Sequence, residues 1–212
     1  MNSKKKIINI GIDIETLSTF PTAAIVAIAA KAFDIDQDYW EYNEQFRANV
    51  NVMSAIVNGF HVEQETCNWW AERTDEVKEI TLDKKRPLLH IKEALGSFVD
   101  WIEVLKEKHE CDDVVIWMEG TDFDGAILRN ALRCTFPEKG RKAVPWHYRQ
   151  LRDARTFILE GIRLFHGNVE NPFELIPKPE TPFLHHDQIG DVEQMIWNIR
   201  YVNKLFTNLI KK

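Results

Sequence analysis

Hydrophobic and polar positions alternate without interruption through residues 7–15. The even positions 8 to 14 are all isoleucine, whereas the odd positions 9 to 15 carry Asn, Gly, Asp and Glu. Successive side chains of a β-strand point to opposite faces, so this period of two predicts a strand with one apolar face. Its other face ends in two acids, Asp13 and Glu15.

The remaining pattern predicts an α/β fold. Three consecutive strands favour an antiparallel meander. The later alternation of strands and helices favours further strands that join the sheet in parallel. We therefore expect a mixed five-stranded sheet flanked by helices, an order that suits an RNase H-like fold without singling it out. No internal repeat or low-complexity linker interrupts the chain, so one domain over residues 1–212 is expected. The further predicted strands are 23–33, 39–48, 114–118 and a short one near 146–149; the predicted helices are 62–73, 75–80, 91–109, 123–134, 154–162 and 187–210.

The charge balance limits the kind of protein. The net charge is −6 and the pI about 5.7, which argues against a general nucleic-acid coat because such proteins are basic. A nuclease remains open, since carboxylates that hold metal ions lower the pI and the ions reverse the local charge. Basic residues are also grouped locally, either as solvated faces or as a track for a phosphate backbone. These groups are Lys84 to Arg86, Arg129 with Arg133, Lys139 to Lys142, and Arg149, Arg152 and Arg155.

Location in the cytoplasm is expected. The longest mild apolar run, residues 22–33, is too short to span a membrane and contains Lys31. The three cysteines form no CxxC pair and are odd in number, which is typical of reduced thiols in a cytosolic protein.

Three segments carry candidate chemistry. Asp13 and Glu15 leave the same strand face where the strand ends, either as strand-edge charges in water or as acids that meet a positive partner. Asp124 follows the predicted strand 114–118 and opens a helix, where Asp122 is expected as the N-cap and the dipole favours an acid. His186 and Asp191 flank the start of the last helix, for which Asp187 is the expected N-cap, so that both can face one cavity.

Taken together, these residues favour a metal site. Four hard carboxylates suit Mg²⁺ or Mn²⁺, and the lack of Cys or paired-His ligand spacing disfavours Zn²⁺. Two such ions could hold the attacking and leaving oxygens of a phosphodiester cleavage. A histidine suits proton removal from the attacking water, since its ordinary pKa is near 6.5.

The same segments resemble the motifs of the DEDD exonuclease superfamily in its histidine form, DEDDh (DnaQ-like). Asp13-Ile-Glu-Thr looks like the first motif, the Phe-Asp pair ending at Asp124 like the second, and His186-x4-Asp191 like the third. The five-residue spacing selects His186 over His185. With Asn68-Trp-Trp and Arg152-Asp-Ala-Arg-Thr, the motifs are similar to the phage-type exonuclease A branch, which groups with bacterial exoribonuclease-like proteins.

The resemblance implies a 3′→5′ exonuclease that releases nucleoside 5′-monophosphates from single-stranded ends. It makes Asp13, Glu15, Asp124 and Asp191 ligands of two divalent cations and His186 the general base. DNA is the expected substrate because of the exonuclease A likeness, and a homodimer is expected because relatives often dimerise. The expected substrate contacts are the turn Thr16, Leu17 and Ser18, a base-stacking Trp70 and a phosphate-binding Arg155.

Three alternatives stay open. An exoribonuclease would differ in contacting the 2′-hydroxyl group, which no motif reveals. A catalytically silent nucleic-acid-binding module is disfavoured because all five motif residues are present. An RNase H-like endonuclease is allowed by the fold alone, but the D-x-E pair together with the H-x4-D arrangement favours cleavage from an end.

Overall fold

The computed structural model describes residues 7–36, 44–82, 86–111, 113–180, 183 and 187–210. A six-stranded mixed sheet in the order β4-β3-β2-β1-β5-β6 forms its centre. Strands β1, β2 and β3 run antiparallel to one another, whereas β4 pairs parallel to β3, β5 parallel to β1, and β6 parallel to β5. The strands are β1 (Ile7–Thr16), β2 (Ile25–Phe33), β3 (Gln45–Val50), β4 (Leu88–Leu89), β5 (Asp113–Met118) and β6 (Leu151–Asp153).

Seven α-helices accompany the sheet in the described part of the chain. Three short ones follow β3 and precede the long helix α4, and α7 is the longest. Their bounds are α1 (Val52–Val57), α2 (Gln64–Ala71), α3 (Asp75–Leu82), α4 (Ile91–Lys108), α5 (Asp124–Thr135), α6 (Ala154–His166) and α7 (Gln188–Ile210), with 3-10 helices at Pro137–Ala143, Tyr148–Gln150 and Pro172–Leu175.

Helices cover both faces of the sheet, so the core has two parts. The even-numbered isoleucines of β1 pack with the apolar sides of α4 and α5, including Leu95 and Phe98. The opposite face packs with α6 and α7 through residues such as Trp117 and Ile196. Because both faces are covered, every residue of β2 is buried, and its one charged side chain, Lys31, pairs with Glu193 on α7.

The predicted α/β class and mixed sheet are confirmed, but the predicted count of five strands is wrong. The two-residue strand β4 was not predicted, because two residues are too few to show a period. The last strand lies at Leu151–Asp153, whereas residues 146–149 are irregular and begin a 3-10 helix. The start of the predicted strand 39–48 lies outside the described residues. No helix of the described residues is long and apolar enough to cross a membrane.

Candidate active site

Three of the predicted acids converge at the end of the central strand. Asp13 and Glu15 leave β1 on the face that α7 covers, just before a register shift between Glu15 and Thr16. Asp191, in the first turn of α7, meets them there. Each residue offers a carboxylate oxygen, and these oxygens all lie within 4.8 Å of one another.

A glycine in β1 allows this convergence. A Cβ atom at Gly11 would lie 2.9 Å from Met195 Cε, 3.1 Å from Val192 Cγ1 and 3.2 Å from Ile196 Cγ1. The side chains of α7 therefore occupy the space that any larger residue at position 11 would need. The close approach of helix and strand places Asp191, next to Val192, against the acids of β1.

A side chain of strand β3 holds the start of helix α7 in place. Asp187, the residue before the helix, accepts a hydrogen bond from Gly190 N at 3.1 Å, as expected of the predicted N-cap. Arg47 of β3 donates two hydrogen bonds to the same carboxylate, at 3.1 Å and 3.2 Å. Such a bidentate pair fixes direction as well as position, so it holds the helix turn that carries Asp191.

Asp124 is presented by the neighbouring strand. β5 runs parallel to β1, and the turn after it passes through Gly120, whose φ of 136° favours glycine, before α5 begins at Asp124. The predicted N-cap Asp122 is wrong: the cap position is Phe123, which makes no side-chain capping bond. The turn is held instead by Asp153, whose carboxylate accepts a hydrogen bond from Thr121 N at 3.0 Å.

All four acids line one cavity of about 410 Å³. Arg155 also lines it, with its guanidinium 3.8 Å from the carboxylate of Glu119. Glu119 was not predicted, although its position directly after β5 is the same kind of strand end that pointed to Glu15. The remaining lining residues are Ile12, Ile14, Phe123, Gln194 and Met195.

The cavity raises the proton affinity of its acids. Burial raises the pKa of Glu15 from 4.5 to about 7, and Asp191 and Asp124 add to the shift. Burial, together with Glu119, likewise raises the pKa of Asp124 from 3.8 to about 7. Asp13 has a pKa well above its ordinary range, because it is buried and its charge is opposed first by Glu15 and then by the other acids. Carboxylates that repel one another in this way are stabilised by a cation.

The donor set fits a hard divalent cation. The clustered ligands are carboxylate oxygens, which Mg²⁺ and Mn²⁺ prefer, and among the described residues neither Cys nor His joins them. Among the described residues that line the cavity, the acids outnumber the one cationic side chain, Arg155. The acidic cluster is therefore compatible with metal binding.

The predicted substrate contacts other than Arg155 lie in the turn after β1 and beside it. The Thr16 hydroxyl donates to Ser18 O at 2.8 Å, and the buried Ser18 hydroxyl is bonded to His61 Nδ1 at 2.8 Å. Leu17 packs against the core. Trp70 donates from Nε1 to Thr16 O at 3.0 Å. These contacts stabilise the turn, and the four residues are absent from the described lining of the cavity.

Neither tryptophan of α2 is buried in the core. Trp69 is 43% exposed and lies under the guanidinium of Arg73, and Trp70 is half-buried, with the two rings packed edge to face. His186 and its neighbour His185 both lie outside the described residues, so the assignment of the general base rests on sequence spacing.

A family model covers most of the chain. Residues 8–197 match the family model described as the 3′-5′ exoribonuclease Rv2179c-like domain. No curated protein matches the chain.

Solved structures were compared as well. E. coli exonuclease I in complex with a 5cy-dA13 oligonucleotide is 17% identical, with a TM-score of 0.54 over 97% of this chain and 43% of that chain. The metal-free form of the E. coli exonuclease I–ssDNA complex is also 17% identical, with a TM-score of 0.53 over 97% of this chain and 42% of that chain. The nuclease domain of 3′hExo, a DEDDh family member, bound to rAMP, is 10% identical. Its TM-score is 0.49 over 93% of this chain and 92% of that chain.

The exonuclease I likeness shows the RNase H-like fold of these nucleases, and the chain spans less than half the length of that protein. The family model covers most of the chain and names the activity. The chain therefore belongs to the Rv2179c-like 3′-5′ exoribonuclease domain family.

Proposed function

We propose that this enzyme removes nucleotides one at a time from the 3′ end of single-stranded RNA, with residues 1–212 acting as one exonuclease domain. The observation that carries the proposal is the convergence of Asp13, Glu15 and Asp191 within 4.8 Å in a cavity that Asp124 also lines. The family description supports RNA as the substrate. The exonuclease A resemblance leaves single-stranded DNA as the second candidate.

Asp13, Glu15, Asp124 and Asp191 would hold two divalent cations, Mg²⁺ or Mn²⁺. When bound, such ions supply charge neutralisation for the attacking and leaving oxygens of the phosphodiester. The half-exposed Arg155 at the cavity wall would bind a phosphate oxygen of the terminal nucleotide, once released from Glu119. The walls of the cavity limit access of bulk water and so strengthen these charge interactions.

The reaction is a hydrolysis. A water oxygen forms a bond to the terminal phosphorus, and the bond between that phosphorus and the 3′-oxygen of the preceding nucleotide breaks. His186 would take a proton from the attacking water and later release it to solvent, and the 3′-oxygen would leave as an alkoxide that takes up a proton from solvent to become the hydroxyl group of the shortened strand. The product is a nucleoside 5′-monophosphate.

The test is a time course on matched 5′-labelled single-stranded RNA and DNA oligomers with Mg²⁺, Mn²⁺ or EDTA. We expect a ladder that shortens from the 3′ end, is abolished by EDTA and advances faster on RNA. Asp13→Asn, which keeps the shape of the side chain, should remove activity while the fold is retained. Full activity of purified Asp13→Asn would refute the metal assignment. If the DNA oligomer is shortened faster than the RNA oligomer, DNA is the preferred substrate.

A further inference from the structure

A second cavity, lined by cationic and aromatic side chains, lies beside helix α5. Its volume is about 370 Å³, close to that of the acidic cavity, and the two share no lining residue. We call it the arginine pocket. Its lining residues are Arg129, Arg133, Arg141, Val144, Trp146, His147 and Tyr148.

The arginine pocket is a basic region of an acidic protein. Residues 129–149 contain six Lys or Arg and one Glu, whereas the whole chain has 27 Lys or Arg and 33 Asp or Glu. Within the described parts of the chain, no salt bridge involves Arg129, Arg133 or Arg141. Arg129 is oriented by a hydrogen bond from its Nε to Gly125 O at 3.0 Å. Three guanidinium groups that line one cavity and have no acidic partner among the described residues suit an anion with several oxygens.

Aromatic groups give the pocket a second kind of contact. Tyr148 is 63% exposed, and the guanidinium of Arg149 lies 5.6 Å from its ring centre. The ring of His147 packs against it at 4.2 Å. Trp146 is buried against Phe98, yet its Nε1–H has no acceptor among the described residues. A tyrosine that is mostly exposed and lies next to arginines suits contact with an unpaired base and its phosphate.

Helix α5 connects this pocket to the active site. Asp124 is its first residue, and Arg129 and Arg133 follow five and nine residues later on the same helix. At about 1.5 Å and 100° per residue, Arg133 lies roughly 13–14 Å farther along the helix than Asp124 and on the other side of it. A strand that passes around α5 at about 3.4 Å per nucleotide would need at least about four nucleotides to reach it.

We propose that the arginine pocket binds the substrate strand a few nucleotides upstream of its 3′ end, with the arginines on phosphates and Tyr148 stacked on a base. This inference rests on the proposed function, because it assumes a strand whose 3′ end lies in the acidic cavity. An acidic polypeptide would satisfy the arginines but leave the aromatic face unused, so a nucleic-acid strand fits the whole pocket better.

The test measures binding without catalysis. Fluorescence anisotropy in EDTA gives the Kd of 5′-labelled 12-nucleotide and 3-nucleotide single strands, in RNA and DNA, at several salt concentrations. Arg133→Gln/Arg141→Gln is compared with Lys92→Gln/Arg163→Gln, which removes the same charge at exposed positions outside the pocket. Tyr148→Ala and Tyr148→Phe form a second pair.

We expect the arginine double variant to weaken binding of the 12-mer about tenfold relative to its control, and to weaken binding of the 3-mer far less. The slope of log K against log salt should fall by about 1.4, roughly 0.7 for each lost phosphate contact. Tyr148→Ala should weaken 12-mer binding about fivefold or more, and Tyr148→Phe should restore it because a phenyl ring still stacks.

Equal Kd values and salt slopes for the two double variants would overturn the proposal. So would AMP that binds as tightly as the 12-mer, which indicates a free-nucleotide site, or polyglutamate that displaces the 12-mer at equal charge, which indicates a polypeptide site. Failure of the proposed function is separate: a wild-type protein that binds the 12-mer through this pocket but never shortens it would refute the exonuclease assignment alone.

Discussion

Replacement of Asp124 by Asn should stabilise the metal-free protein above pH 7 while it impairs the enzyme. The carboxylate of Asp124 is buried and its pKa is raised from 3.8 to about 7, first by burial and then by Glu119. The folded state therefore binds a proton that the unfolded state releases between about pH 4 and pH 7. The contribution of Asp124 to the free energy of unfolding of the metal-free wild type must therefore fall as the pH rises through this window.

The size of the effect follows from the shift. About three pKa units at about 1.36 kcal/mol each correspond to roughly 4 kcal/mol at pH 8, and close to nothing at pH 4. Asn is uncharged but still loses hydration on burial, so we expect a net gain of about 2 kcal/mol for Asp124→Asn at pH 8. In a chain of this size, that raises the Tm by about 4–8 °C.

The assay is thermal unfolding in EDTA at pH 5, 6, 7 and 8. Asp100→Asn, at an exposed position on α4, is the matched control and should shift the Tm little at any pH. The difference in Tm between Asp124→Asn and wild type should grow as the pH rises and shrink when Mg²⁺ or Mn²⁺ is added. A difference that does not change with pH would refute the electrostatic explanation.

Three further predictions concern the proposed general base and two residues that position helix α7. His186→Ala should lower turnover at neutral pH far more than His185→Ala in a single-turnover rate comparison; the reverse order would reassign the general base. Arg47→Ala removes the bidentate contact to the start of α7, so kcat should fall at least about tenfold with a smaller change in KM; Arg47→Lys should fail to restore it, since an ammonium group cannot bind bidentately. Gly11→Ala places a Cβ 2.9 Å from Met195 Cε and should lower stability by about 1–3 kcal/mol in urea unfolding; an unchanged midpoint would show that α7 can move away freely.

The parts that local pattern determines were predictable from the sequence. The alternation in residues 7–15 predicted the central strand and the side-by-side placement of Asp13 and Glu15, because a strand has a fixed period of two. The capping role of Asp187 was also predicted, since a helix start has a local signature. A further local cap in the structure is Asp153, whose carboxylate accepts a hydrogen bond from Thr156 N at 2.7 Å.

The parts that depend on distant contacts could not be predicted. Arg47 and Asp187 are 140 residues apart in the chain, and nothing near either residue indicates the other. Asp122 had a suitable type for an N-cap, but Asp153 holds the turn through Thr121 instead. The last strand pairs only three residues with β5, so its position is set by its neighbour in the sheet and not by its own period.

The repulsion between the acids of the site and the contacts that hold helix α7 on the sheet act in opposite directions. Without a cation, buried acids at the end of β1 repel one another and destabilise the fold. Repulsion alone would push α7, with Asp191, away from the sheet. Among the contacts that oppose that movement, the side chains of α7 pack directly over Gly11, and Arg47 holds the start of the helix through Asp187. Weakening either contact should therefore reduce activity through the position of Asp191, and added metal should recover part of the loss by removing the repulsion.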